Sequence, residues 1–160
     1  MGQSKQLLLM VHGDEKRNHQ VDFYRPLSVL GVCQTLNVAR KMKSDSLTAP
    51  EYIFASPSLY IRQTAQILHQ AFPLSVLVLR DNLYVDDERA LLSFLTHLDD
   101  IFGCLLLVAY EAPLYQLTIR LTGKKADFRH SSRVSIHWPQ EQSWEKITQN
   151  KGELVDFWHP

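Results

Sequence analysis

Four short apolar segments of strand length alternate along this chain with segments that have a helical period. They cover residues 6–11, 52–55, 74–79 and 104–109 and are nearly continuous in apolar side chains. Such runs are typical of strands that are buried on both faces. Because strand and helix follow each other in turn, the pattern predicts right-handed crossovers and a mainly parallel sheet with helices on both faces.

Helices are predicted between and after these strands, over residues 29–39, 58–71, 88–98 and 113–121. In the first helix, a stripe with helical spacing is expected to face the core, and it consists of Val29, Val32, Cys33, Leu36 and Ala39. After residue 130 the pattern changes, and residues 134–138, 143–147 and 153–158 are predicted to be short strands. The last two would be joined by a turn at residues 150–152 and form an antiparallel edge. The predicted fold class is therefore α/β, with three αβα layers.

Composition limits the partners and the domain count. With 160 residues, the chain is predicted to be a single domain over residues 1–160, because that length can bury most of its apolar surface. Its 17 basic and 17 acidic residues balance, so nothing favours nucleic acid or an anionic membrane as a partner. Cys33 and Cys104 lie in apolar stretches without close spacing, which favours buried, reduced thiols. We expect a soluble, cytoplasmic protein.

The first apolar run leads directly into His12 and Gly13. In open α/β sheets, ligands bind at the carboxyl ends of the strands, which is where this histidine would lie. A glycine next to it allows a sharp turn and the close approach of a ligand. The pattern indicates a histidine that faces a crevice.

Further motifs follow His12-Gly13-Asp14 in order: Arg25-Pro26-Leu27-Ser28, then Ser56-Pro57 with Gln63-Thr64-Ala65, then residues 108–114. Together they resemble the histidine phosphatase superfamily, and in size and in the Arg-Pro-Leu segment they resemble the SixA-type phosphohistidine phosphatases. The resemblance implies a phosphoglycerate mutase-like fold and no cofactor. It also implies a mechanism in which a histidine is transiently phosphorylated while two arginines and a second histidine hold the phosphate oxygens. His12 would be the nucleophile, and Gly13 and Arg25 would lie at the phosphate.

Three positions depart from the pattern that the resemblance implies. Val11 stands where the family has the first arginine, Tyr60 stands where it has the second, and Glu111 replaces the second histidine. Arg62 is two residues beyond Tyr60, a rotation of about 200° around a helix, so it is expected to point away from the pocket. The departures remove positive charge and add a negative one.

The size of these losses predicts impaired phosphoryl transfer. A charge-assisted hydrogen bond contributes roughly 1.5–3 kcal/mol, so three missing donors could remove about 5–9 kcal/mol of transition-state stabilisation. An ionised carboxylate about 4 Å from a phosphate oxygen would add a repulsion of about 4 kcal/mol.

Three functions remain open from the sequence. The first is a degenerate pseudophosphatase that binds a protein, such as a phosphohistidine-containing or other signalling protein, or a less charged ligand. The second is an atypical active phosphatase with His12 as nucleophile and a cradle formed by Arg25 and Arg62. The third is a metal-dependent hydrolase that uses His12 and Glu111, with Asp14 as a further ligand.

Some other polar residues admit simple structural roles. Residues 86–88, Asp-Asp-Glu, lie where some relatives carry a catalytic acid, but they also fit a helix cap. The remaining histidines lack the spacing of metal ligands, and no metal site is assigned to them: His19, His69, His97, His130, His137 and His159. The aromatic C-terminal segment is expected to cover one end of the sheet.

Overall fold

The computed structural model describes residues 3–18, 21–45 and 48–160. Its strands form one sheet in the order β3-β2-β4-β1-β5-β6. The strands are β1 (Gln3–Val11), β2 (Tyr52–Ala55), β3 (Val76–Leu79), β4 (Cys104–Ala109), β5 (Arg133–Gln142) and β6 (Glu153–Trp158). The helices are α1 (Val29–Ser44), α2 (Leu59–Ala71), α3 (Glu88–Thr96) and α4 (Glu111–Thr122).

The sheet is parallel from β3 to β1 and antiparallel from β1 to β6. Strand β4 pairs in parallel with both β1 and β2, while β5 runs antiparallel to β1. In that pair Met10 lies opposite Arg133, so the start of β5 meets the end of β1. This register brings the loop before β5 next to His12.

Each face of the sheet has its own apolar core. Leu7, Leu9 and Val11 pack with α3 and α4, whereas Leu8 and Met10 pack with α1 and α2. The alternation explains why β1 is apolar throughout, since neighbouring side chains point to opposite faces. The predicted α/β class with three layers is confirmed. None of the described helices is long and apolar enough to cross a membrane.

The prediction for the buried face of α1 was largely wrong. Val29, Val32, Cys33 and Leu36 are exposed, and Ala39 is the one member of the predicted stripe that is buried. The face against the sheet instead carries Gly31, Thr35, Val38, Ala39 and Met42. Two stripes on this helix have helical spacing, and the close contact of Gly31 with the loop after β1 selects the less apolar one. Cys33 is therefore an exposed thiol, while Cys104 is buried as predicted.

Two further segments differ from their predictions. Residues 143–147 form no strand; a short 3-10 helix, Trp144–Lys146, lies there, and the antiparallel edge consists of β5 and β6. Strand β3 begins at Val76 and lies at the edge of the sheet, so its side chains are exposed or half-buried, and Leu74 is exposed. Trp144 is fully buried and donates its indole N–H to the Phe102 carbonyl oxygen, so its polar atom is satisfied.

Candidate functional site

His12 lies immediately after β1, at the carboxyl end of the parallel strands, and only 7% of its surface is exposed. Its Nδ1 is 2.7 Å from the Gly13 carbonyl oxygen. A carbonyl can only accept, so this contact places the ring proton on Nδ1 and leaves the lone pair on Nε2. Burial lowers the pKa of His12 below its ordinary value, which favours the neutral ring.

The loop after His12 is pressed against the start of α1. A Cβ on Gly31 would lie 2.0 Å from the Asp14 carbonyl oxygen, and a Cβ on Gly13 would lie 2.6 Å from that of Gly31. Ser28 caps α1 by accepting from the Gly31 N–H, and its hydroxyl donates to the Asp14 carboxylate at 2.5 Å. The two glycines therefore allow the close approach that fixes the loop carrying His12.

The most unexpected feature of the site is the carboxylate of Asp22, which three tyrosine hydroxyls surround. Tyr60 donates to Asp22 at 3.0 and 3.1 Å, Tyr84 at 3.1 Å and Tyr110 at 3.0 Å. The Tyr60 ring also contacts the His12 ring edge-on, with the centroids 4.5 Å apart, and the Tyr110 ring lies 5.9 Å away. Tyr60 and Tyr110 thus link the Asp22 carboxylate to the His12 ring. We call Asp22, Tyr60, Tyr84 and Tyr110 the tyrosine-carboxylate cluster.

The tyrosines of this cluster are held in their neutral form. Burial, the neighbouring Tyr110 and the Asp22 carboxylate raise the pKa of Tyr60 far above its ordinary value. Burial and Asp22 likewise raise the pKa of Tyr110 and of Tyr84. Neutral phenols donate hydrogen bonds, so the three tyrosines supply the hydrogen-bond donors of the carboxylate.

Arg25 is the cation next to this cluster. Its Nη1 lies 3.6 Å from Asp22 Oδ1, so the guanidinium charge faces a carboxylate of the same chain. Arg62 is half-buried on α2, and among residues 3–18, 21–45 and 48–160 no hydrogen bond or ion pair joins its side chain to His12 or Asp22. A phosphate cradle formed by Arg25 and Arg62 stays a prediction.

The substituted positions have separate fates. Val11 is completely buried in the apolar core on the α3 and α4 side. Tyr60 contacts His12, as its place in the sequence predicted. Glu111 is exposed in the first turn of α4 and lines a different cleft, with Tyr115 and Phe128. Its neighbour Tyr110 is the residue of this motif that contacts the His12 ring.

A second group of titratable side chains lies on another side of His12. Glu15 Oε2 is 3.9 Å from His12 Nδ1 and 3.6 Å from His130 Nε2. The His130 and His12 rings are 5.4 Å apart, and His130 Nδ1 is 3.7 Å from Asp14. We call His12, Glu15 and His130 the histidine-glutamate cluster. His130 reaches it because the Ser131 N–H donates to the His12 carbonyl oxygen at 2.9 Å.

The three acidic residues at the start of α3, residues 86–88, make different contacts. Asp87 caps α3 by accepting from the Arg89 N–H at 3.0 Å, as the cap interpretation predicted. Glu88 pairs with Arg120 at 2.8 Å. Asp86 lines a cleft of about 440 Å³ together with Asp22, Tyr84, Val85 and Tyr110. This cleft opens onto the tyrosine-carboxylate cluster, and its charged lining is acidic.

Several residues of the site were not predicted from sequence. Asp22 and Tyr84 lie outside every motif, and no local pattern marks them. His130 was grouped with scattered histidines, although it lies just before the strand that pairs with β1. Knowledge of that pairing would have located it beside His12. His19, another of those histidines, lies outside the described residues.

Solved structures of other proteins share this fold. No family model and no curated protein matches the sequence. The chain superposes with TM-score 0.82 and 17% identity on a SixA-type protein of Nakamurella multipartitia, assigned as a phosphohistidine phosphatase, covering 98% of this chain and 96% of that one.

Two further SixA structures agree with this match. A protein histidine phosphatase SixA complexed with tungstate has TM-score 0.80 and 21% identity, with 96% of each chain covered. A SixA-type protein from Agrobacterium tumefaciens has TM-score 0.80 and 19% identity, with 98% of each chain covered. The chain therefore has the phosphoglycerate mutase-like fold that these SixA structures share.

Proposed function

We propose that this chain is a degenerate SixA-like histidine phosphatase that has lost phosphoryl transfer and acts as a binding or regulatory protein. The observation that carries the proposal is the tyrosine-carboxylate cluster beside His12. In the related enzymes the resemblance implies cationic donors around the reacting phosphoryl group. Here the substituted position 60 supplies a phenol, and that phenol donates to Asp22.

Charge argues against a phosphoryl dianion next to His12. Phosphoryl transfer depends chiefly on positioning and on positive charge around the transferred group. Glu15 Oε2 lies 3.9 Å from His12 Nδ1, and Asp22 is bonded to the tyrosines that contact the His12 ring. Burial lowers the pKa of His12, and both carboxylates oppose that lowering, as negative charges do. Each carboxylate about 4 Å from a phosphate oxygen would oppose binding by about 4 kcal/mol at an effective dielectric of about 20.

The same charges favour a neutral or cationic group. The cleft at Asp22 is lined by two carboxylates and two tyrosine rings, from Asp22, Asp86, Tyr84 and Tyr110. Aromatic faces and carboxylates bind guanidinium and ammonium groups favourably. We propose that the ligand is a basic side chain of a partner protein, and that the partner is a signalling protein in a reducing cytosol.

The loss of phosphoryl transfer is tested with phosphate-like anions and a phosphoryl donor. Thermal unfolding is measured with and without tungstate, in parallel with a SixA protein that binds tungstate. Intact mass is recorded after incubation with phosphoramidate. We expect no shift in the unfolding temperature and no phosphate adduct on His12. The matched control is His12→Asn, and its aryl phosphate turnover should equal that of the wild type. Tungstate stabilisation together with His12-dependent turnover would establish the active phosphatase instead.

Preference for a cation is tested separately. The protein is titrated with an arginine-rich peptide and with a glutamate-rich peptide of equal length, while tyrosine fluorescence is followed. We expect saturable binding of the arginine-rich peptide that Asp22→Asn abolishes and Asp127→Asn leaves intact, since Asp127 is exposed and lies outside the cleft. Equal binding by the two variants would exclude Asp22 as the recognition group.

A further inference from the structure

The histidine-glutamate cluster has the composition of a metal site. A single donor atom from each of His12, Glu15 and His130 lies within 4.8 Å of the other two, and these are the only described residues that meet this condition. Two imidazoles and a carboxylate form a common ligand set for zinc and neighbouring first-row metals.

The distances fit a small metal ion after minor movement. In a tetrahedral zinc site with bonds of about 2.1 Å, neighbouring donor atoms lie about 3.4 Å apart. Glu15 Oε2 is 3.6 Å from His130 Nε2 and 3.9 Å from His12 Nδ1. Binding through His12 Nδ1 would require the ring proton to move to Nε2 and the Nδ1 contact with the Gly13 carbonyl oxygen to open, so the site closes by a tautomer change together with side-chain rotations.

An independent observation points to a missing ligand here. The Glu15 side chain is 8% exposed, and its Oε2 is buried without a hydrogen-bond partner. The other oxygen, Oε1, accepts from Arg17 at 3.2 Å. The orphaned atom is the one that faces His12 and His130. A buried carboxylate oxygen without a donor is costly, and a cation between the two rings would satisfy it.

The surroundings also hold the histidines in place. His130 Nδ1 lies 3.7 Å from Asp14 Oδ1, while the other ring nitrogen, Nε2, is the one that faces Glu15. Contacts of this kind fix the ring orientation and the tautomer of metal-binding histidines. Ser131, next to His130, has a φ of 60°, and its N–H is bonded to the His12 carbonyl oxygen.

We propose that His12, Glu15 and His130 bind one divalent first-row metal ion, with zinc as the probe. Unlike the sequence hypothesis, this site does not use Glu111, which lines another cleft. Zinc binding at these residues can be tested independently of phosphatase activity, because the measurement uses no phosphorylated compound. A failure of zinc binding would leave the result of the tungstate experiment unaffected.

The experiment uses the untagged full chain, which is stripped with a chelator, dialysed, incubated with a small excess of zinc and freed of unbound zinc. Bound zinc per chain is measured by elemental analysis, and affinity by competition with a chromophoric chelator. We expect one zinc ion per wild-type chain. Glu15→Gln and His130→Ala should each weaken binding at least about tenfold, since loss of a supporting group alone costs that much. Cobalt should give visible bands of a low-coordinate site in the wild type only.

The control is His159→Ala, which removes an exposed histidine outside the cluster. It should bind zinc as the wild type does. Thermal unfolding without metal establishes that each variant is folded, and Glu15→Gln is expected to fold well because it removes a buried charge. Absence of zinc from the wild type, or equal affinity in the wild type and both cluster variants, would overturn the proposal.

Discussion

The Tyr60 hydroxyl donates to both oxygens of the Asp22 carboxylate, at 3.0 and 3.1 Å. Tyr60 is 2% exposed, whereas the Asp22 side chain is 40% exposed. The contact therefore anchors a short surface helix, Asp22–Tyr24, to the buried start of α2. It also holds a carboxylate against the tyrosine ring that contacts His12.

Stability should depend on this contact. Asp22→Ala leaves the hydroxyl of buried Tyr60 without its acceptor, so we expect the free energy of unfolding to fall by about 1–3 kcal/mol. Tyr60→Phe removes the donor together with its need for a partner and should cost about 1 kcal/mol. Urea denaturation measures both. Asp127→Ala, at an exposed position, should change stability by less than about 0.5 kcal/mol, and an equal loss in Asp22→Ala and Asp127→Ala would contradict the role of the cluster.

Anion binding should require two changes together. In Tyr60→Arg alone, the new guanidinium is expected to pair with Asp22 and to remain unavailable to an oxyanion. In Tyr60→Arg with Asp22→Asn, that pairing is lost, and a charge-assisted hydrogen bond of about 1.5 kcal/mol or more should strengthen tungstate binding about tenfold. Isothermal titration calorimetry compares the two variants. Tungstate binding by the single variant as tight as by the double one would show that Asp22 does not compete.

Alkaline pH should separate the tyrosines of the cluster from the others. The pKa values of Tyr60, Tyr84 and Tyr110 are raised in the folded protein. Above about pH 10 the unfolded chain releases phenolic protons that the folded chain retains, so stability is full below that pH and decreases as the pH rises.

Phenolate absorbance tests this directly. We expect incomplete tyrosine ionisation in the folded protein at a pH where the denatured chain, with 6 tyrosines, is fully ionised. Asp22→Asn removes a nearby negative charge and should shift the titration to lower pH, while Asp127→Asn should not. Complete ionisation of the folded protein at the pH of the denatured chain would contradict the raised pKa values.

The loop that carries His12 should not tolerate a side chain at Gly31. A Cβ there would lie 2.0 Å from the Asp14 carbonyl oxygen, which is backbone and cannot move alone. Alanine favours helices by up to about 1 kcal/mol over glycine, but the clash should outweigh this and give a net loss of about 1–3 kcal/mol. Gly103→Ala is the control, because its Cβ would meet the Gln3 and Glu51 side chains at 3.2 Å. Equal stability of both variants in urea would show that the loop can shift.

The two cysteines should differ sharply in reactivity. Cys33 is exposed on α1. Burial, with a smaller effect from the Glu51 carboxylate, raises the pKa of the Cys104 thiol to about 12. Since the thiolate is the reactive species, we expect one alkylated cysteine per native chain and two after denaturation, with Cys33→Ser abolishing the native reaction. Native labelling of Cys104 at a comparable rate would contradict its burial.

The order of strands and helices could be predicted from sequence because it depends on local periodicity. Residues 52–55 and 104–109 were predicted with the bounds that the structure shows. The buried face of α1 could not be predicted from sequence. Two faces of that helix have suitable spacing, and a tertiary contact at Gly31 decides which of them is buried. Local apolar pattern is a weak guide where a close backbone approach fixes the orientation.

Only the site residues that belong to a recognisable motif could be predicted from sequence. His12 and Tyr60 were located next to each other through the resemblance, and the structure brings their rings together. Asp22 and His130 reach His12 through a surface helix and an antiparallel strand pairing, which are long-range features. A single sequence contains no local pattern that indicates such long-range contacts.

The Asp22 carboxylate also bears on how such a pocket could change over time. An arginine that arose at position 60 would meet a carboxylate already seated within hydrogen-bond reach of that position. A single substitution would therefore gain a salt bridge rather than a phosphate ligand. Under the proposed loss of phosphoryl transfer, a phosphate-binding arginine at position 60 would require a second substitution at Asp22.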